Sequence, residues 1–192
     1  MSRVCNIVLV CEGGRDSAFA RAFLKQAGID VRKVTPRENQ GGSGHDWVIN
    51  ETVEAIADLG KYAEGRGVLS LLDEDGQDVA KRRSAISAKL KARNLPALSP
   101  TDGRCLLLPK RNIETWLYWL RGQRADSAVK VNETDDYKKT APTSASGRIS
   151  NEDCGPAGAY LHSLDHTNLP ADCPPMLKQE LKDLRAFLNA LR

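Results

Sequence analysis

The chain has 192 residues, 41% of them hydrophobic and 28% charged, with a formal charge of +3. That composition is of a globular protein with one principal domain and a proper core, and the small net charge does not by itself establish a polyanionic partner. No apolar run approaches the roughly 20 residues that span a bilayer and no long apolar signal segment opens the chain; with five cysteines and no Cys-x-x-Cys pair, a reducing, cytoplasmic location is expected.

Residues 4–11 are a short, β-branched, uncharged run, the pattern of a parallel strand buried on both faces, and the run ends on Glu12 and Gly13. Ala18, Phe19, Ala22 and Phe23 at helical spacing predict a helix over 17–27, stopped by Gly28. A short strand is expected over 31–34. The polar stretch 35–46 follows, and its Gly41-Gly42-Ser43-Gly44 reads as a flexible loop. Val48, Thr52, Ile56 and Leu59 mark a helix over 47–63. Residues 67–72 repeat the buried-strand pattern and end on Asp73-Glu74-Asp75-Gly76, where Asp73 and Asp75 project to the same side wherever the extended conformation persists.

A third helix is expected over 78–93, with Val79, Ile86 and Leu90 as its apolar stripe, and a fourth strand over 104–108, ended by Pro109. Asn112 is placed to cap a helix over 113–121 that carries Trp116, Leu117, Trp119 and Leu120. Strands alternating with helices predict an α/β fold, a four-stranded and mainly parallel sheet between helices. Periodicity is lost over 122–158, and Leu177, Leu181, Leu184, Leu188 and Leu191 then mark an amphipathic helix. Residues 1–121 are thus expected to carry the site, and 122–192 to be a loop-rich extension whose last helix packs on the same core.

Glu12, Asp73 and Asp75 all follow strands, and in an open parallel sheet ligands bind beyond the carboxyl ends of the strands. Clustered carboxylates repel unless a cation lies between them, and an all-oxygen donor set suits Mg²⁺ or Mn²⁺. The basic residues Lys81, Arg82, Arg83, Lys89, Lys91 and Arg93 follow the second acidic turn and could hold a phosphate backbone, or form a solvated helix face.

These motifs, in this order, resemble the TOPRIM domain, the catalytic module of topoisomerases, bacterial primases, OLD-family nucleases and small stand-alone nucleases. Val8-Leu9-Val10-Cys11-Glu12-Gly13-Gly14-Arg15-Asp16 is similar to its strand ending in Glu-Gly, with Asp16 in the place of an additional metal ligand. Leu71-Leu72-Asp73-Glu74-Asp75-Gly76 is similar to its strand ending in Asp-x-Asp, and Leu107 to Leu117 to an Arg-x-x-Glu segment that places Arg111 and Glu114. The resemblance covers about residues 3–120. It implies a TOPRIM-like fold and a Mg- or Mn-dependent nucleic-acid phosphodiesterase, a nuclease acting on DNA or RNA, and by analogy a part in bacterial defence. Glu12, Asp73 and Asp75 would then be catalytic, with Glu12, Asp16, Asp73, Asp75 and Glu114 as metal ligands and Lys138 or Lys139 stabilising transition-state charge.

The alternative is a non-catalytic TOPRIM-like binding or regulatory subunit that acts with a partner ATPase or nuclease. No tyrosine falls in a topoisomerase nucleophile motif, so strand passage is not expected. Asp73-Glu74-Asp75-Gly76 is also similar to the first motif of haloacid-dehalogenase-type phosphatases, but it lies on the third strand and Gln77 follows; an EF-hand loop fails because Asp78 stands where glycine is needed. Asp16 could simply cap the first helix, and Glu114 could favour a helix N-terminus. Cys154, His162, His166 and Cys173 are a second metal possibility, although their spacing matches no short zinc motif.

Overall fold

The computed structural model describes residues 6–39, 41, 44–59, 66–76, 78–127 and 129–191. Strands β1 (Asn6–Cys11), β2 (Val34–Glu38), β3 (Arg66–Leu71) and β4 (Arg104–Leu107) form one sheet in the order β2-β1-β3-β4, and every adjacent pair is parallel. Helices α1 (Gly14–Gln26), α2 (Gly44–Leu59) and α3 (Val79–Ala92) connect successive strands; α4 (Glu114–Arg124), α5 (Asn151–Ser163) and α6 (Pro175–Ala190) follow. The fold is therefore α/β, with a wholly parallel sheet.

Strand periodicity sorts the core into two layers. Ile7, Leu9 and Cys11 of β1, with Leu69, Leu71, Cys105 and Leu107, pack with α1, α4, α5 and α6. Val10, Val68 and Leu106 face the other way and pack with α2 and α3. The chain leaves β1 for β2 on one side and leaves β3 for β4 on the other, so the strand order reverses between β1 and β3. At that reversal the helices following adjacent strands diverge to opposite faces and leave a crevice beyond the strand ends.

Several boundaries differ from expectation for local reasons. The first helix begins at Gly14, because Asp16 reaches back to accept a hydrogen bond from Gly13 N–H at 3.3 Å. The second strand lies at 34–38, preceded by a 3₁₀ turn at Val31–Lys33 that Asp30 caps; an edge position tolerates its Pro36. The second helix starts at Gly44, inside the stretch read as a loop. Expectations for Val4, Cys5, Gly42, Ser43 and residues 60–63 fall outside the described residues.

α5 was not expected at all. Gly155, Pro156 and Gly158 are poor helix formers, yet Ser150 and Asp153 cap one another at its start and Gly158 has no side chain to separate it from the Phe19 carbonyl of α1. α4 is buried on both faces rather than one: Trp116, Leu117, Tyr118, Trp119 and Leu120 are all solvent-free, because α1, α5 and the segment between α4 and α5 enclose them. Leu177, Leu181, Leu184 and Leu188 bring α6 onto the same layer, and Phe187 closes over Gly67 at the start of β3, the end of the sheet remote from the crevice. Among the described residues no helix is long and apolar enough to cross a membrane.

Candidate active site

Glu12 directly follows β1 and Asp73 lies just past β3, which puts both at the carboxyl edge where the strand order reverses. A cavity of about 220 Å³ opens there, and Glu12, Asp16, Asp73, Glu114, Arg15 and Lys138 line it. Asp75 is not part of that lining and reaches it through Lys138. Glu12 Oε1 accepts a hydrogen bond from Asp73 N–H at 3.3 Å, which ties the ends of the two strands together.

Pairing between the third and fourth strands continues beyond the sheet. Leu72 N–H donates to Leu107 O at 3.1 Å, Glu74 N–H to Pro109 O at 3.1 Å and Asp75 N–H to Arg111 O at 2.8 Å. Asp75 then adopts a left-handed conformation, φ 50°, and the simple alternation of side chains ends. Asp73 is buried, its Oδ1 accepting from Ile113 N–H at 3.0 Å, whereas the Asp75 side chain is 31% exposed and turns toward α2. Gly76 follows at φ 78°, a left-handed conformation that a side chain would strain.

Lys138 enters from the long segment after α4. Its Nζ lies 2.6 Å from Asp73 Oδ2 and 3.4 Å from Asp75 Oδ1. Asp136 anchors that segment by accepting from Arg111 and from Asn112 Nδ2, each at 3.2 Å, while Tyr137 packs edge-on against Tyr118. Lys139, the other candidate, instead pairs with Asp136 at the surface. Asn112 is likewise not a side-chain cap of α4; its amide serves Asp136.

On the opposite wall, Arg15 donates to Glu114 Oε1 at 2.8 Å. Glu114 is buried, and its Oε2 has neither solvent nor a hydrogen-bond partner. Burial, and then the neighbouring charges of Asp73, Glu12 and Glu114, push Asp16 well above the usual carboxylate range. Burial pushes Asp73 up to about 7, although Lys138 pulls against it, and raises Glu12 as well. A crevice that so disfavours ionised carboxylates is one in which a further cation would be stabilised.

His45, on the first turn of α2, was not anticipated. Its Nε2 lies 2.8 Å from Asp75 Oδ2 and 3.9 Å from Glu12 Oε1. Among the described residues, Glu12, His45 and Asp75 form the one group whose ligand atoms all lie within 4.8 Å of one another. The available signal was Gly44: a Cβ there would sit 2.6 Å from Glu12 Oε2, so the glycine lets α2 approach the acid and deliver the next side chain. Cys154, His162, His166 and Cys173 form no such group among the described residues; Cys154 Sγ faces Ser150 O, and His162 packs on Phe23.

The basic residues of α3 do not form one surface. Arg83 turns to Glu180 at 2.9 Å, Lys89 to Asn50 at 2.9 Å, and Arg93 pairs with Glu54. Arg82 is buried and close enough to Glu12 to favour its ionised form, whereas Lys81 and Lys91 are exposed.

The fold and site define an open, doubly wound α/β protein with an acidic crevice at the switch point of its sheet. No protein-family model, curated protein or solved structure matches the chain.

Proposed function

We propose that the chain is a divalent-metal-dependent nucleic-acid phosphodiesterase of the TOPRIM type. One observation carries this reading: Glu12, Asp16, Asp73 and Glu114 converge from three separate strand ends on a single crevice, with Lys138 inserted among them. The residues fit Mg²⁺ or Mn²⁺, since the donors are carboxylate oxygens and the buried Glu114 Oε2 lacks any partner. By the resemblance Glu12, Asp73 and Asp75 would hold the ion, with Asp16 and Glu114 beside them, whereas among the described residues it is Glu12, His45 and Asp75 that bring ligand atoms within 4.8 Å of one another. An ion bound there would supply Lewis-acid polarisation of a phosphoryl oxygen and a more acidic water.

The chain's own groups complete the chemistry. The α1 N-terminus opens onto the crevice at Gly13, Gly14 and Arg15, where the helix dipole favours a phosphate. Lys138 offers an ammonium to developing negative charge, and Glu12, whose proton affinity burial raises, can take up or return a proton. Exposed Lys81 and Lys91 lie on the helix that leaves the Asp-x-Asp turn and can follow a phosphate backbone.

A second reading, a non-catalytic subunit working with a partner ATPase or nuclease, draws support from Asp73: both its oxygens already have partners, Ile113 N–H and Lys138. The deciding measurement is cleavage of labelled single- and double-stranded DNA and RNA by the isolated chain with Mg²⁺ or Mn²⁺. Metal-dependent cleavage lost in Asp73→Ala supports the enzyme; no cleavage of any of them supports the subunit.

A further inference from the structure

We propose that His45 is a metal ligand, forming with Glu12 and Asp75 a nitrogen-bearing position that binds a first-row transition metal ion in preference to Mg²⁺. Two ligands at about 2.1 Å from an ion and at right angles to each other are about 3.0 Å apart, and ligands on opposite sides about 4.2 Å. The separation of Nε2 from Glu12 Oε1, 3.9 Å, falls within that range, and that from Asp75 Oδ2, 2.8 Å, lies just below it.

A second observation singles out the imidazole. Nε2 is closed off from solvent and makes no hydrogen bond, even though a carboxylate oxygen lies 2.8 Å away; the approach is off the direction in which a ring N–H donates. A buried ring nitrogen without a partner is costly unless something else satisfies it. The glycine at position 44 lets α2 lie close to Glu12 without displacing its carboxylate.

Imidazole alters the selectivity that carboxylates alone would give. Oxygen donors suit Mg²⁺, whereas a nitrogen donor favours first-row transition ions, in rising order from Mn²⁺. The position shares Glu12 and Asp75 with the proposed phosphodiesterase site and adds to them a nitrogen from α2. It does not depend on the chain cutting nucleic acid.

The test uses the full chain, Mn²⁺ as a paramagnetic probe and Mg²⁺ as competitor, with no substrate. Pulsed EPR of bound Mn²⁺ is expected to show nitrogen coupling from one imidazole, and the coupling should vanish in His45→Gln. The Mn²⁺-to-Mg²⁺ affinity ratio should fall by about tenfold or more in that variant, whose unchanged circular dichroism will show that it folds. Bound Mn²⁺ without nitrogen coupling, coupling that persists in His45→Gln, an unchanged ratio, or no Mn²⁺ binding would each overturn the assignment. A chain that shows His45 coupling but cleaves no nucleic acid keeps this inference and loses the phosphodiesterase; cleavage without coupling does the reverse.

Discussion

Lys138 Nζ bridges both acids of the Asp-x-Asp turn, 2.6 Å from Asp73 Oδ2 and 3.4 Å from Asp75 Oδ1. Removing it leaves Asp73 buried among Glu12, Asp16 and Glu114 without its counter-charge. The lysine is 39% exposed, so the loss should fall below that of a fully buried pair, at about 1–3 kcal/mol. Urea unfolding of Lys138→Met at pH 8 should show this destabilisation, and the deficit should shrink toward pH 5 as Asp73 takes up a proton. A constant deficit across that range would mean that lost packing, not charge, is responsible.

The raised Asp73 carboxyl sets a direction for pH. Its folded value, about 7, exceeds the unfolded 3.8, so between these values the folded state holds more protons and stability falls as pH rises. Metal binding runs the opposite way, because the ion must displace that proton; affinity should climb between pH 6 and 8. Asp73→Asn retains an oxygen for Ile113 N–H, so it should fold, lose this part of the pH dependence and reduce metal-dependent cleavage by at least about a hundredfold. Full cleavage in Asp73→Asn at matched Mg²⁺ would falsify the proposed catalytic centre.

A separate pH signal comes from α6. Glu180 is wholly buried, accepts from Arg83 at 2.9 Å through Oε1 and leaves Oε2 without a partner; burial pushes it up to about 7. Stability contributed here is likewise lost as pH rises from 4.5 toward 7. Thermal melts of Glu180→Gln should be flatter over that interval and no less stable at pH 8. Cleavage should be unaffected, because Glu180 does not line the crevice.

Arg83 is engaged with Glu180 while Lys81 and Lys91 face solvent, so their effects on substrate binding should differ. For binding of a DNA or RNA duplex, each phosphate contact removed lowers the slope of log K against log salt by about one. Lys81→Glu with Lys91→Glu should therefore reduce the slope, and Arg83→Gln should not. Equal slopes in all three proteins would return α3 to a merely solvated face.

Gly158 offers a purely structural check. Any Cβ there meets the Phe19 carbonyl of α1, a backbone atom that cannot swing aside. Gly158→Ala should cost about 1–3 kcal/mol in chemical denaturation, despite the better helix propensity of alanine. A stabilised variant would show that α5 can shift without penalty.

Three of the four strands were legible because they are buried strands whose continuous apolar runs, such as 4–11 and 67–72, have few other folded solutions; β2, a half-exposed edge strand with a proline, was expected at 31–34 and lies at 34–38. α5 was not legible, since its glycines and proline oppose a helix, a cost that the packing of Gly158 against Phe19 offsets. The acids at strand ends could be read from their positions alone, but Asp73 and Asp75 could not be told apart, because the left-handed turn at Asp75 ends the period-two pattern. His45 and Arg15 were hidden for another reason: each acquires its role from a partner distant in sequence, Asp75 and Glu114 respectively.

The distance along the chain between Asp73 and Lys138 also orders events in time. Glu12, Asp16 and Asp73 leave the ribosome well before the lysine that will neutralise them, an interval of several seconds at roughly 5–20 residues per second. Throughout it Asp73 lacks the ammonium that partners it in the folded protein, so the ionic composition of the surrounding medium bears on how this edge of the sheet first assembles. A late stretch to join the crevice is thus the one that brings Asp73 its counter-charge.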